Sequence, residues 1–172
     1  MKQTLTFVLL ALCIIQIYSD KADKIISFAQ SKLGCGYVWG GEGQVLTQDR
    51  LNAFAKKYPT HVDRNIVKKW LGKPIYDCSG LVQAAFKTIG INLIHNAQNA
   101  WKSTNWAKKG PISSYPKDKV CILYKLTNGK MTHTGIYIKN GEYIHAKGSQ
   151  YGVVKEKMKG SWTHWGIPKG LY

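Results

Sequence analysis

A chain of 172 residues is long enough for one domain with a buried core, and its 25 lysines and arginines outnumber 9 aspartates and glutamates. The formal net charge of +16 favours diffuse attraction to a polyanion. Only Arg50 and Arg64 carry the guanidinium fork that reads bases and clamps phosphates, and no zinc-ligand pattern, RNA-binding aromatic signature or long basic tail is present, so we expect no nucleic-acid partner.

The first 19 residues have the layout of a secretory signal peptide. Lys2 supplies a positive charge, an apolar run extends from Leu5 to Ile15, and the small Ser19 lies at the expected cleavage point. The run is too short to span a bilayer comfortably, although an uncleaved anchor or a buried first helix is the alternative. We therefore expect residues 1–19 to be removed and residues 20–172 to form one secreted, monomeric domain without a stable membrane anchor. Anionic wall polymers are then the nearest polyanions.

Three cysteines remain outside the expected signal peptide: Cys35, Cys78 and Cys121. An odd number in an exported protein indicates an unpaired thiol or an intermolecular bond. Cysteines this far apart, without a C-x-x-C pair, make a poor zinc site, and we expect no metal and no cofactor. A disulfide between Cys35 and Cys121 remains open.

Helices precede strands along the chain. Apolar spacing and helix-breaking residues predict helices over Asp20–Leu33, Leu51–Tyr58, Asn65–Leu71, Cys78–Ile89 and, more weakly, Ala97–Ala107. Runs rich in β-branched and aromatic residues predict strands over Val120–Leu126, Thr134–Lys139, Glu142–Ala146, Val153–Met158 and Trp162–Ile167. This order predicts an α+β domain in which N-terminal helices pack on an antiparallel β-sheet of about five strands.

Cys78 lies where a loop becomes a helix, in the sequence Asp77-Cys78-Ser79-Gly80. A thiol at a helix N-terminus feels the positive end of the helix dipole, which favours the nucleophilic thiolate. The alternative is a buried structural cysteine. We expect Cys78 to be a nucleophile.

A nucleophilic cysteine needs a base from elsewhere in the chain. Of the five histidines, His133 opens one predicted strand and His145 lies near the end of the next. We expect His133 to take the thiol proton and His145 to fix its ring orientation. His61, His95 and His164 are assigned no catalytic role.

The turn between these two strands decides whether the two histidines can meet. A two-residue Asn140-Gly141 turn would pair Lys139 with Glu142 and place the histidines on opposite faces of the sheet. A three-residue loop over 139–141 would pair Ile138 with Glu142 and place both histidines on one face. We predict the three-residue loop, with a type I turn followed by Gly141 in the left-handed region.

Four segments in order resemble the NlpC family of papain-like cell-wall cysteine peptidases. They are Tyr37-Val38-Trp39-Gly40-Gly41, Asp77-Cys78-Ser79-Gly80-Leu81-Val82, His133-Thr134-Gly135-Ile136-Tyr137-Ile138 and Ile144-His145-Ala146. Each is weak alone, but their order and spacing are specific and extend over roughly residues 22–168.

The resemblance implies a circularly permuted papain-like fold with Cys78, His133 and His145 as the catalytic residues. It implies hydrolysis of peptidoglycan stem peptides, usually at the bond between γ-D-glutamate and a diamino acid. It also implies that Tyr37, Asp77 and Ser79 help to bind the substrate, although Asp77 is also a good helix cap.

The sequence departs from the family pattern in two segments. Lys117-Asp118-Lys119-Val120 stands where a glycine and an aspartate usually open a strand. The segment Glu42–Pro74 is longer than in a minimal family domain, and we expect it to wall the groove.

Three other functions stay open at this point. An amidase that cuts between the sugar and L-alanine also uses cysteine and histidine. A cationic wall-binding or membrane-active protein with a silent site would act through its charge alone. A transferase or deamidase could use the same residues on other acyl groups, because fold does not fix function.

Overall fold

The computed structural model describes residues 20–172, so the predicted signal peptide lies outside the described residues. The helices are α1 (20–31), α2 (Gln48–Lys57), α3 (Arg64–Val67), α4 (Cys78–Lys87) and α5 (Ala97–Ser103). The strands are β1 (Gly36–Tyr37), β2 (Glu42–Val45), β3 (Pro74–Tyr76), β4 (Trp106–Pro111), β5 (Cys121–Thr127), β6 (Lys130–Tyr137), β7 (Glu142–Gly148), β8 (Gly152–Lys157) and β9 (His164–Pro168). Within residues 20–172, no helix has the length and apolar character that crossing a membrane requires.

The central element is a six-stranded antiparallel sheet in the order β4-β9-β5-β6-β7-β8. The α+β prediction is confirmed, but the sheet has one strand more than the five predicted. That strand is β4, part of which the sequence pattern assigned to a helix. Its exposed Lys108 and Lys109 give it no apolar alternation, and Pro111 at its end is tolerated because β4 is an edge strand.

Helix α4 covers the middle of this sheet with the apolar residues that its sequence spacing predicted. Leu81 and Phe86 of α4 are fully buried in the same cluster as Ile122, Ile136 and Ile144 from β5, β6 and β7. Burying side chains of this size contributes about 1.5–3 kcal/mol each, so this contact holds the start of α4 firmly against the sheet.

The long segment Glu42–Pro74 forms a second, smaller core beside the main one. It contributes β2, α2 and α3, and β2 joins β1 and β3 in a three-stranded sheet. Six buried side chains of this segment pack on Val38 and Ile75 of the chain around β1 and β3: Leu46, Leu51, Ala55, Val62, Val67 and Trp70. The segment is therefore a packed unit beside α4 rather than a loose loop.

The β6–β7 hairpin has the predicted pairing. The amide of Ile138 donates to the carbonyl of Glu142 over 2.9 Å, in continuity with the Ile136–Ile144 pair, and 139–141 form the connection. The predicted type I turn is wrong, because Lys139 and Asn140 have φ values of 74° and 54°. The amide of Glu142 donates to the carbonyl of Lys139 over 3.0 Å, so Asn140-Gly141 is the centre of the turn and Lys139 is an extra, bulged residue.

Cys35, Cys78 and Cys121 are all free thiols, so the open possibility of a disulfide between Cys35 and Cys121 is not realised. Cys35 lies half-buried between α1 and β1, whereas Cys121 is fully buried at the start of β5.

Gly80 in the first turn of α4 allows the helix to approach the Gly41 backbone. A Cβ atom at Gly80 would lie 2.1 Å from the carbonyl oxygen of Gly41, which also accepts a hydrogen bond of 2.9 Å from the amide of Asp77. Glycine-to-alanine changes normally stabilise a helix by about 1 kcal/mol. Here we expect Gly80→Ala to lower the free energy of unfolding by about 1–3 kcal/mol instead, because the backbone at Gly41 must move to make room for the added Cβ.

Chemical denaturation of the purified protein measures this change. Ala84→Gly in the same helix is the control and should cost about 1 kcal/mol, chiefly through helix propensity because Ala84 is only partly buried. A Gly80→Ala variant more stable than the parent would contradict the close approach.

Candidate active site

Cys78 is the first residue of α4, and the chain around it forms a tight helix start. Asp77 is the N-cap, and its Oδ1 accepts a hydrogen bond of 2.7 Å from the amide of Gly80. The Cys78 side chain is buried, with 6% of the residue exposed. The sulfur thus lies in a rigid position at the foot of the helix.

The ionisation of Cys78 differs from the sequence expectation. Burial and the negative charge of Asp77 raise the pKa of the thiol to about 12, although the amides of Thr134, Ser79 and Cys78 itself favour the thiolate. The effect of the helix terminus is therefore outweighed by desolvation, because a buried thiolate loses its hydration. Cys78 rests as a neutral thiol at neutral pH.

The two predicted histidines meet on one face of the sheet. Nε2 of His133 on β6 lies 2.8 Å from Nδ1 of His145 on β7, and the ring planes are inclined by 73°. Gly135 lies between them in sequence and space, and a Cβ there would lie 3.0 Å from the Cβ of His145. The absence of a side chain at Gly135 leaves room for the pair.

Trp162 covers the histidine pair from the loop before β9. Its ring stacks on His133 with a centroid distance of 5.5 Å and an interplanar angle of 17°, and it meets the His145 ring at 5.8 Å. Burial lowers the pKa of His133 to about 4, and the charges of His145 and Lys125 add to this effect. Burial also lowers the pKa of His145. Both rings are therefore neutral at neutral pH.

The backbone of β6 connects Cys78 to the histidine pair. The amide of Thr134, the residue after His133, interacts with the Cys78 sulfur. The Thr134 side chain is buried and anchored by a hydrogen bond of 2.8 Å to the carbonyl of Leu123. Because adjacent side chains on a strand point to opposite faces, anchoring Thr134 also fixes the direction of the His133 ring.

An open cavity of about 430 Å³ leads to Cys78. Its lining includes Trp39 and Tyr58, together with Lys130 and Met131. Tyr58 belongs to the segment Glu42–Pro74, so the expectation that this segment walls the groove is confirmed. The cavity could hold an extended peptide chain across the Cys78 thiol.

Asp77 and Ser79 line this cavity, but the Asp77 carboxylate is already fully engaged. It accepts hydrogen bonds of 2.8 Å from the amide of Gly40, 2.7 Å from the amide of Gly80 and 2.9 Å from the Ser79 hydroxyl. Burial alone would raise the pKa of Asp77, but the paired His95 and the two amides hold it below its usual range.

Tyr37 is buried near Cys78 and Asp77 rather than in the cavity wall. Burial raises the pKa of its phenol, and the negative charge of Asp77 acts in the same direction. The structure thus brings Tyr37, Asp77 and Ser79 around the nucleophile, and their role in binding the substrate stays a prediction.

His95 is part of this site, although no sequence pattern assigned it a catalytic role. Its Nε2 lies 2.8 Å from both carboxylate oxygens of Asp77, and its Nδ1 contacts the Glu42 carboxylate. Burial opposes protonation, but the two carboxylates raise the pKa of His95 overall. His95 comes from the loop before α5, and no spacing in the sequence indicates that this loop reaches Asp77.

Glu156 on β8 extends the histidine pair on the side away from Cys78. Its Oε2 lies 2.9 Å from Nε2 of His145 and accepts a hydrogen bond of 3.0 Å from the Tyr143 hydroxyl. A single glutamate on a polar strand carries no sequence signal, so only the pairing of β7 with β8 reveals this contact.

Comparison with known proteins gives consistent results. The chain is 30% identical over 137 residues to the probable endopeptidase p60 of Listeria seeligeri and 28% identical over 137 residues to that of Listeria monocytogenes. These alignments cover 80% of this chain but only 19% and 21% of the relatives. The chain therefore spans about a fifth of the length of the curated relatives it matches.

Solved structures show the same fold at lower identity. The P60 domain of an antigen from M. avium subspecies paratuberculosis superposes with a TM-score of 0.60 at 18% identity, covering 88% of this chain and 96% of that chain. The peptidoglycan hydrolase RipB from Mycobacterium tuberculosis has a TM-score of 0.60 at 18% identity, covering 87% and 65%. These neighbours confirm the papain-like α+β class.

A sequence model of the NlpC/P60 family matches residues 34–167, which is more than half of the chain and includes Cys78, His133 and His145. With the fold in agreement, the chain belongs to the NlpC/P60 family.

Proposed function

We propose that this protein is a secreted cysteine endopeptidase that hydrolyses peptidoglycan stem peptides, at the bond between γ-D-glutamate and the diamino acid. The observation that carries the proposal is the His133–His145 hydrogen bond of 2.8 Å beside the buried Cys78 at the foot of an open groove. The names of the similar proteins, endopeptidase p60 and peptidoglycan hydrolase, support the same substrate class.

The proposed reaction is acyl transfer through neutral partners. His133 removes the proton from the Cys78 thiol as the sulfur attacks the amide carbonyl carbon, and the carbonyl electrons move to the oxygen. The amide of Cys78 at the helix start is placed to stabilise this oxyanion. His133 then gives the proton to the leaving amine, and water activated by His133 releases the acyl group from sulfur.

The charge and the N-terminal sequence support an extracellular site of action. The formal net charge of +16 would attract the protein to anionic wall polymers. The charged start and apolar run of residues 1–19 support export through a signal peptide. Neither feature depends on the site, so localisation and chemistry are separate parts of the proposal.

Cys78→Ala should reduce hydrolysis of defined muropeptides about 1,000-fold or more, because alanine has no group that can attack the amide carbonyl and form the acyl-enzyme. Mass spectrometry of the products measures this and identifies the bond. Release of a product ending in γ-D-glutamate supports the endopeptidase, whereas release of the whole stem peptide would indicate an amidase.

Cys35→Ala is the matched control, because Cys35 is a free, half-buried thiol away from the groove. It should keep the activity of the parent. Full hydrolysis by Cys78→Ala would refute the assignment of the nucleophile.

His133→Ala should lose more activity than His145→Ala. His133 is the base, whereas His145 orients it, and water can partly replace an orienting group. Steady-state kcat of the two variants on the same muropeptide tests this order. Equal kcat in His133→Ala and the parent would exclude His133 as the base.

The pH dependence should reflect the depressed pKa of His133. The reaction needs neutral His133, so activity is lost as the pH falls through its pKa, which burial lowers to about 4. We expect kcat/KM to remain near its maximum at pH 6 and to decline only in more acidic solution. The raised pKa of Cys78, about 12, predicts no loss of kcat/KM on the alkaline side up to pH 9, which lies about 3 units below that pKa.

A pH profile of kcat/KM on a soluble muropeptide measures both limbs, with circular dichroism at each pH to verify folding. An acid limb centred at or above the ordinary histidine pKa of about 6.5 would contradict a neutral base that is half-buried.

A further inference from the structure

Glu156 of β8 lies behind the histidine pair, outside the groove, and its carboxylate bonds to three side chains of the neighbouring strand β7. Besides His145 and Tyr143, it contacts Lys147, whose Nζ lies 2.8 Å from Oε1. The hydrogen bond from Lys147 lowers the pKa of Glu156 to about 2, and the Tyr143 and His145 hydrogen bonds add to this. Lys157 and Lys159 line the recess above the same carboxylate. Glu156 is therefore ionised at the pH of any assay.

An ionised carboxylate only accepts hydrogen bonds, which fixes the proton on His145. The contact of 2.9 Å between Glu156 Oε2 and His145 Nε2 requires a hydrogen on Nε2. A neutral imidazole has one ring proton, so Nδ1 of His145 carries a lone pair. In the contact of 2.8 Å with His133, the hydrogen then belongs to Nε2 of His133.

The same argument continues through the second ring. His133 is neutral because burial lowers its pKa to about 4, so with its proton on Nε2 its Nδ1 is free of hydrogen. Nε2 is occupied by His145, and Nδ1 is the nitrogen left to receive a proton from Cys78. The charge state of Glu156 thus determines, two rings away, that His133 presents a base and not an N–H group to the thiol.

We propose that Glu156 is a positioning residue that sets the tautomers of His145 and His133, as the end of a chain Glu156–His145–His133–Cys78. The inference rests on the proposed function for its kinetic consequence only. When the Cys78 proton moves to Nδ1 of His133, the S–H electron pair stays on sulfur and His133 becomes an imidazolium. Its Nε2–H still donates to His145, and the negative charge of Glu156 stabilises the pair without changing its own protonation.

Removal of the carboxylate releases this constraint. His145 can then carry its proton on Nδ1 and donate to Nε2 of His133, which moves the His133 proton to Nδ1, facing the thiol. We expect Glu156→Ala to lower kcat about 10–100-fold, the range typical of lost orienting partners, with KM changed less than about twofold because Glu156 lies outside the groove.

Glu142→Ala is the matched control. Glu142 also bridges β7 and β8, through Lys155 at 3.2 Å, and its side chain has the same 32% exposure as Glu156, but no hydrogen bond joins it to a histidine. It should keep the kcat of the parent. An equal loss of kcat in Glu142→Ala and Glu156→Ala would show that β7–β8 ion pairs act through stability, and would overturn the proposal.

Nitrogen-15 NMR of the histidine rings tests the tautomers without any substrate. The full protein should show protonated Nε2 and bare Nδ1 for His133 and His145, and Glu156→Ala should show protonated Nδ1. A bare Nε2 on either ring of the unmodified protein refutes the proposal even if the variant does not fold. If no muropeptide is hydrolysed but the tautomers are as expected, the proposed function fails and the role of Glu156 stands.

Discussion

The hydrogen bond of 2.8 Å between Nε2 of His133 and Nδ1 of His145 is the contact on which the site depends. It exists because three residues, 139–141, connect the paired residues Ile138 and Glu142, with Lys139 as the extra one at a φ of 74°. Side chains alternate along a strand, so a hairpin shorter by one residue would turn one ring to the other face of the sheet. The Tyr137 hydroxyl accepts a hydrogen bond of 3.0 Å from the Gly141 amide and helps to hold this turn.

Burial is the second constraint, and it determines how the groups ionise. Trp162 and the β6–β7 strands bury His145 and half-bury His133, while α4 and the sheet enclose Cys78. Desolvation then favours the neutral thiol over the thiolate and the neutral imidazoles over imidazolium. The proton consequently moves from sulfur to nitrogen during the reaction rather than before it, and the correct tautomer of His133 becomes essential.

Local patterns predicted the parts of the molecule that depend on neighbouring residues. The start of α4 at Cys78, the apolar face containing Leu81 and Phe86, and the Ile138–Glu142 pairing all follow from periodicity and turn length. The polar edge strand β4 was missed because Lys108 and Lys109 give no alternation.

Contacts between distant segments could not be predicted in the same way. His95 meets Asp77 through a loop, Glu156 meets His145 across a strand pair, and Trp162 covers the rings from the loop before β9. The raised pKa of Cys78 belongs to the same class, because desolvation depends on what covers the thiol. Only the helix terminus, which favours the thiolate, is visible in the sequence.

Trapping of the acyl-enzyme tests the central claim most directly. The protein is mixed with a defined muropeptide, quenched in acid within the first turnover, and examined by intact-mass and peptide-mapping mass spectrometry. The account predicts one adduct with the mass of the γ-D-glutamyl acyl fragment, located on Cys78 and lost again as product accumulates. The same experiment with His145→Ala, in which release of the acyl group should be slower, should trap more of the adduct. Hydrolysis by that variant without an adduct on Cys78, or with an adduct on Cys35 instead, would contradict the account.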